Sequence, residues 1–343
     1  MTAYWQRLRE RGTRKPRLPG DFAVALLVLL VALLSSACLT TSSSFGFRVL
    51  EVNDKLKGEP NTSGLPLRNG QVILTESPDA TSFMFMLLPA QFHEFTHAGI
   101  VAIEDGAPVV YEVSGAIRTF PLHARVLDNI AGEVHRLDLF EYVGANLHAE
   151  IYDVEPGSDG SKIVAFAREQ YLNGVPFDPY FRFEDHSALY CTELVELAWR
   201  AGGAKPHPLG PVNPQPSLQK GLEWLDVLPN QSLPASLYRN DDRFVAAIGQ
   251  FASRTAAYAY FAAKEEIYRR FRRPDQRLGF LFTLAGTGKI GLRPDVAAFA
   301  RRAPDLFAGE TAVAYNDPVV RAKVRALADE MWGPYDDGTT SSK

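Results

Sequence analysis

The sequence predicts an α+β fold, and two observations carry that reading. Between about Leu65 and Gly203, short Val/Ile-rich runs bounded by Gly, Pro and Asp are interleaved with stretches of helical periodicity. From about Phe244 to Met331 the composition turns helical and arginine-rich, with Arg269, Arg270, Arg272, Arg273, Arg301 and Arg302. Of the 343 residues 46% are hydrophobic and 22% charged, the balance of a globular protein rather than a polytopic membrane protein.

Taken in order, Gln71 to Leu74 is a short apolar run that reads as a strand. Ala98 to Ile103 and Val109 to Val113 are two more, and the turn residues Glu104 to Ala107 between them make a hairpin. Arg136 to Phe140 is a further strand candidate, and Ile163 to Leu172 has helical spacing. Thr192 to Ala201 places Leu194, Val195, Leu197, Ala198 and Ala201 on one helical face and stops at Gly202-Gly203. Five prolines between Pro206 and Pro216 exclude regular helix and central strand from that segment. The sequence shows no internal repeat.

The N-terminus has the build of a secretory leader. Arg7, Arg9, Arg11, Arg14, Lys15 and Arg17 precede an uninterrupted apolar stretch, Phe22 to Leu34, that ends in Ser35-Ser36-Ala37-Cys38. The small residues before Cys38 resemble a bacterial lipobox, which makes Cys38 the expected lipidation site; Ser35 stands where that motif prefers Leu. The alternative is an uncleaved signal anchor, since Phe22 to Leu39 just reaches spanning length. Either way the expected location is the bacterial cell envelope, with a membrane-attached globular part outside the cytoplasm. Loss of residues 1–37 leaves 30 basic against 38 acidic residues, a net charge of −8. An acidic body argues against a nucleic-acid partner.

If Cys38 is lipidated, Cys191 is the one thiol left, and a free thiol in an oxidising compartment asks for a chemical reason. It directly precedes the amphipathic segment Thr192 to Ala201, where a helix N-terminus favours thiolate over thiol and can receive an oxyanion. The bland reading is a small buried hydrophobe.

A base for such a nucleophile is available in the hairpin. If Ile103 faces Pro108, paired numbers sum to 211, so Gly99 lies opposite Glu112 and His97 opposite Ser114. His97 and Glu112 are then diagonal neighbours on one face, roughly 7–8 Å apart at the backbone. In that arrangement His97 takes and returns the proton and Glu112 fixes the ring tautomer. His186 is a second candidate base without an evident orienting partner, and Glu193 reads as a first-turn carboxylate of structural use.

His93-Glu94-Phe95-Thr96-His97 also matches the HExxH pattern of zinc metallopeptidases. That chemistry demands a helix, because along a strand the two histidines would stand about 13 Å apart. The residues after His97 alternate and turn like a hairpin, so the zinc reading is the weaker of the two. The thiol reading calls for no metal and no cofactor.

On these residues the chain resembles the permuted papain-like cysteine amidases of the YiiX/YaeF type, relatives of the NlpC cell-wall hydrolases. The resemblance runs from about Gly70 to Gly203. It rests on Gly70-Gln-Val-Ile-Leu74, Thr96-His-Ala-Gly-Ile-Val101, Val110-Tyr-Glu-Val113, Gly174-Val-Pro-Phe-Asp178 and Tyr190-Cys-Thr-Glu-Leu-Val195. The diagnostic part is order, since His97 precedes Cys191 as in the permuted group.

The resemblance implies an antiparallel sheet packed on helices, with Cys191 as nucleophile, His97 as base and Glu112 as third polar residue. Where the family usually has Tyr-Asp, this chain has Phe177-Asp178, which leaves Tyr190 as a substitute oxyanion or substrate donor; Gln71 stands where Asp often follows the opening glycine.

The expected organisation is a signal peptide (1–37), a tether (38–64), the permuted cysteine hydrolase domain (65–205), a Pro-rich connection (206–240), a helical C-terminal extension (241–335) and a disordered tail (336–343). The expected activity is cleavage of an amide or related acyl bond through a Cys191 thioester, on a cell-wall peptide or a lipid-linked acyl substrate. A non-catalytic binding lipoprotein on the same fold and a cysteine-dependent acyltransferase are the alternatives.

Overall fold

The computed structural model describes residues 46–117, 130–212, 231–272, 278, 281–284, 290–309 and 317–335. The expected leader with Cys38, the first part of the tether, residues 213–230 of the Pro-rich connection and the tail at 336–343 lie outside the described residues.

The fold is α+β. Its strands are β1 (Arg48–Val52), β2 (Val72–Glu76), β3 (His97–Glu104), β4 (Ala107–Ile117), β5 (Ile130–Asp138), β6 (His148–Tyr152), β7 (Gly210–Pro211), β8 (Gln231–Ser232), β9 (Phe244–Gly249), β10 (Phe282–Leu284) and β11 (Ile290–Leu292). Its helices are α1 (Ala80–Leu87), α2 (Leu139–Gly144), α3 (Gly160–Leu172), α4 (Cys191–Ala201), α5 (Arg254–Phe271), α6 (Pro294–Asp305) and α7 (Pro318–Trp332). Seven strands form one fully antiparallel sheet in the order β1-β9-β6-β2-β3-β4-β5.

Strand periodicity divides the core between the two sheet faces. On one face Val72, Leu74, Ile100, Ala102 and Tyr111 join Ile163 of α3, Leu194, Val195 and Ala198 of α4, and Phe261 of α5. On the other, Ile73, Val101, Val110 and Ile151 meet Leu139 and Val143 of α2 together with Leu65 and Leu67. Burial on both sides explains why β2 reads as a continuous apolar run rather than an alternating one.

Two strands fall where the sequence suggested a tether and a helical extension. Arg48–Val52 and Phe244–Gly249 pair with each other, and β9 inserts between β1 and β6. The run Phe-Val-Ala-Ala-Ile-Gly is buried throughout, and a short buried strand cannot be told from a helix start by periodicity alone. The helix that follows is tied to the sheet by Lys264, wholly buried on α5. Its Nζ donates to Glu76 Oε2 (2.7 Å), Ser82 Oγ (2.8 Å) and the Glu94 carbonyl (3.2 Å).

The hairpin closes as its pattern predicts. Ile103 pairs with Pro108 and Ile100 with Tyr111, the register whose numbers sum to 211. Gly99 is required at the start of this register, because a Cβ there would stand 2.7 Å from Val110 Cγ1 and 3.0 Å from the Tyr111 carbonyl oxygen. Gly99→Ala is therefore expected to lower the unfolding free energy by about 1–3 kcal/mol, the usual cost of overpacking, read from urea denaturation. An unchanged midpoint would show that β3 and β4 can part without cost.

Candidate functional site

The site is assembled where the start of β3, the middle of β4 and the N-terminus of α4 meet. Continuing the β3–β4 register brings the first residue of β3 beside Glu112, and His97 Nε2 lies 2.9 Å from Glu112 Oε2. The second carboxylate oxygen accepts from Ser114 Oγ at 2.9 Å, two residues along the same strand face. Glu112 is 3% exposed, so both of its oxygens are held in a dry setting and its direction is set.

Cys191 is the first residue of α4, with Tyr190 at the N-cap in extended conformation. The segment leading to it is fixed by the Gly174–Asp178 run, which lies beside β5. Val134 N donates to the Val175 carbonyl at 3.0 Å, and Phe177 N to that of Gly132 at 2.9 Å. Leu189 N then donates to the Pro176 carbonyl at 2.9 Å, and Asp178 N to that of Leu189 at 2.8 Å. A chain that runs from β5 through Phe177 to Leu189 thus delivers Tyr190 and Cys191 to the sheet.

Cys191 and His97 line the same cleft, and Cys191 is among the neighbours that raise His97. Burial opposes the imidazolium, but Tyr142, Cys191 and the hydrogen bond that His97 donates to Glu112 together hold His97 well above its ordinary value. Cys191, His97 and Glu112 thus share one cleft wall, with His97 and Glu112 hydrogen-bonded to each other. Glu193 is fully buried, and burial pushes its carboxyl up to about 9, so near neutrality it does not set a full negative charge beside Cys191. It also supplies what His186 lacked in the sequence, an oxygen 2.7 Å from Nδ1.

A cleft of about 430 Å³ opens over these residues, with Cys191, His97, Glu112, Tyr190 and Tyr142 on its wall. The Tyr190 ring is 3% exposed, and its hydroxyl finds no hydrogen-bond partner among the described residues. Burial pushes that hydroxyl up, so it remains a proton donor at any ordinary pH.

The sequence did not single out Tyr142, whose ring centroid is 6.2 Å from that of His97 and whose hydroxyl lies 3.4 Å from Thr75 Oγ1. Burial pushes Tyr142 up to about 12, against the pull of the His97 charge. No local signal marks it, because α2 reaches His97 through tertiary packing alone. Ser114 was within reach of strand periodicity, two residues from Glu112.

The HExxH run does not form the helix its zinc chemistry requires. His93 to Thr96 is irregular, and His97 begins β3 with Nε2 committed to Glu112. Glu94 pairs with Arg239 at 3.2 Å, and burial lowers the His93 imidazole. Among the described residues no group of three His, Cys, Asp or Glu side chains is placed to hold a metal ion.

No protein-family model and no curated protein matches this chain. Among solved structures it is similar to the crystal structure of metalloprotein yiiX from Escherichia coli O157:H7, DUF1105, at 17% identity and a TM-score of 0.40, over 52% of this chain and 94% of that one.

Proposed function

We propose that this protein is a cysteine hydrolase that cleaves an amide or related acyl bond, tethered to the outer side of a bacterial membrane by its N-terminal segment. The observation that carries the reading is that Cys191, at the start of α4, lines one cleft wall with His97 and with Glu112, the hydrogen-bond partner of His97. Glu112 occupies Nε2, which leaves Nδ1 as the ring nitrogen that serves the thiol.

In the proposed reaction the Cys191 sulfur passes its proton to His97 and attacks the substrate carbonyl carbon. The oxyanion is received by backbone N–H groups at the start of α4 and by the Tyr190 hydroxyl. Collapse breaks the carbon–nitrogen bond, and the amine leaves with the proton from His97. Water then gives a proton to His97 and attacks the thioester, releasing the acid and restoring the thiol. A cell-wall peptide and a lipid-linked acyl compound both supply such a bond.

The first test is iodoacetamide labelling near neutral pH. With His97 as its base, Cys191 is expected to label about tenfold or more faster in the unaltered protein than in His97→Ala. Equal rates in the two proteins overturn the assignment and favour a non-catalytic binding protein.

A further inference from the structure

We propose that the acyl half of the substrate is an uncharged hydrocarbon chain, held against Phe85 and Phe181 on the cleft wall beside Cys191. This rests on the cysteine-hydrolase reading of the same site and names the substrate class that reading leaves open.

Phe181 has φ 55, in the left-handed region that a bulky side chain enters only under constraint. The constraint is Asp178, 6% exposed, whose Oδ1 accepts from Tyr180 N at 2.8 Å and Oδ2 from Arg182 N at 2.6 Å. The backbone is thereby turned on either side of Phe181 and its ring is set into the cleft. There its centroid lies 5.6 Å from that of Phe85, 6.0 Å from Phe177 and 5.4 Å from Tyr190. Strain held in place by a buried carboxylate puts an aromatic wall next to the nucleophile.

Charge points the same way. Among the described residues that line the cleft there is no lysine or arginine, while Asp79, Glu112 and Glu141 bring carboxylates. The hydroxyls of Ser82, Thr96 and Ser114 on the wall already donate to Glu76 or Glu112. An anionic peptide entering here would meet these carboxylates and, among the described lining residues, no lysine or arginine to offset the water it gives up. A hydrocarbon chain loses no hydrogen bonds and gains the apolar wall, while the Tyr190 hydroxyl remains for its carbonyl oxygen.

The test labels Cys191 with straight-chain alkyl chloromethyl ketones of four, eight and twelve carbons, and with an eight-carbon reagent ending in a carboxylate. Each rate is divided by that of iodoacetamide on the same protein. Buried methylenes are worth up to about fourfold each, so the ratio is expected to rise at least about tenfold from the shortest to the longest reagent. The terminal carboxylate should cancel the gain. Phe181→Gly removes the ring at a backbone conformation that glycine adopts freely, and should flatten the chain-length series to less than about threefold. Phe85→Ala, at a position with ordinary backbone, should do the same.

A flat series in the unaltered protein, or faster labelling by the carboxylate-ended reagent, overturns the hydrocarbon inference while normal iodoacetamide labelling leaves the nucleophile standing. Failure of iodoacetamide to label Cys191 overturns the hydrolase reading beneath it.

Discussion

Cys191→Ala is expected to lower amide hydrolysis by about 10³-fold or more, with the fold retained. The residue is the first of α4 and only part-buried, so truncation to alanine removes one sulfur from the edge of an apolar cluster. The stability cost of such a change is at most about 1–2 kcal/mol, small enough for a folded variant. The chemistry has no such reserve. The proposed path runs through a covalent bond to sulfur, and removal of a nucleophile commonly costs several powers of ten, leaving only oxyanion stabilisation and binding. Turnover of a long-chain acyl amide, measured beside the circular dichroism spectrum and urea midpoint, checks both halves. Activity within tenfold of the unaltered protein would remove Cys191 from the mechanism.

Lys264→Met is expected to carry the largest stability penalty, about 3–5 kcal/mol in unfolding free energy. Lys264 and Glu76 are each wholly buried and 2.7 Å apart, and the three Nζ donors go to Glu76, Ser82 and the Glu94 carbonyl. Burial lowers Lys264 while the Glu76 charge raises it, so the pair survives in the interior because each charge compensates the other. Methionine fills most of the volume but leaves the Glu76 carboxylate without its cation. Tyr260 and Thr96 lie at 3.2 and 3.4 Å from Glu76 and are weaker substitutes.

The signature of this cause is recovery in the double variant. Glu76→Gln combined with Lys264→Met should regain a substantial part of the loss, since no uncompensated charge remains. A urea midpoint for Lys264→Met within about 1 kcal/mol of the unaltered protein would refute the account. The same network has a bearing on the site. Ser82 stands on α1 at the cleft wall, and Thr96 precedes His97, so α5 braces both from behind.

Much of the local structure could be read from residues in sequence. The β3–β4 hairpin follows from Glu104 to Ala107 and the flanking β-branched runs, and the register that results is a matter of counting. Helix α4 follows from an amphipathic pattern ended by Gly202-Gly203. Strand β6 and helix α1 gave no such signal. His148–Tyr152 carries a histidine and a glutamate that hydrogen-bond each other in a buried setting, and Ala80–Leu87 is apolar except for Thr81 and Ser82. Where a segment is buried all round, periodicity has nothing to report.

The candidate site divides along the same line. His97 and Glu112 are close because one strand returns beside another across the two-residue loop Asp105-Gly106, and that proximity is encoded locally. Cys191 stands far from them along the chain and arrives only because the 174–190 segment is pinned to β5 and α4 packs on the sheet. Tyr142, the strained Phe181 and the brace from Lys264 belong to that second class too.

From the amino acids alone came the fold class, the hairpin pair and a cysteine at a helix start, since propensity, period and turn chemistry act over a few residues. The meeting of that cysteine with its histidine, the partners of Glu112, the insertion of β9 into the sheet and the aromatic cleft were decided by tertiary structure. Contacts between distant segments depend on which buried surfaces fit together, and close packing settles that only when the whole core is formed.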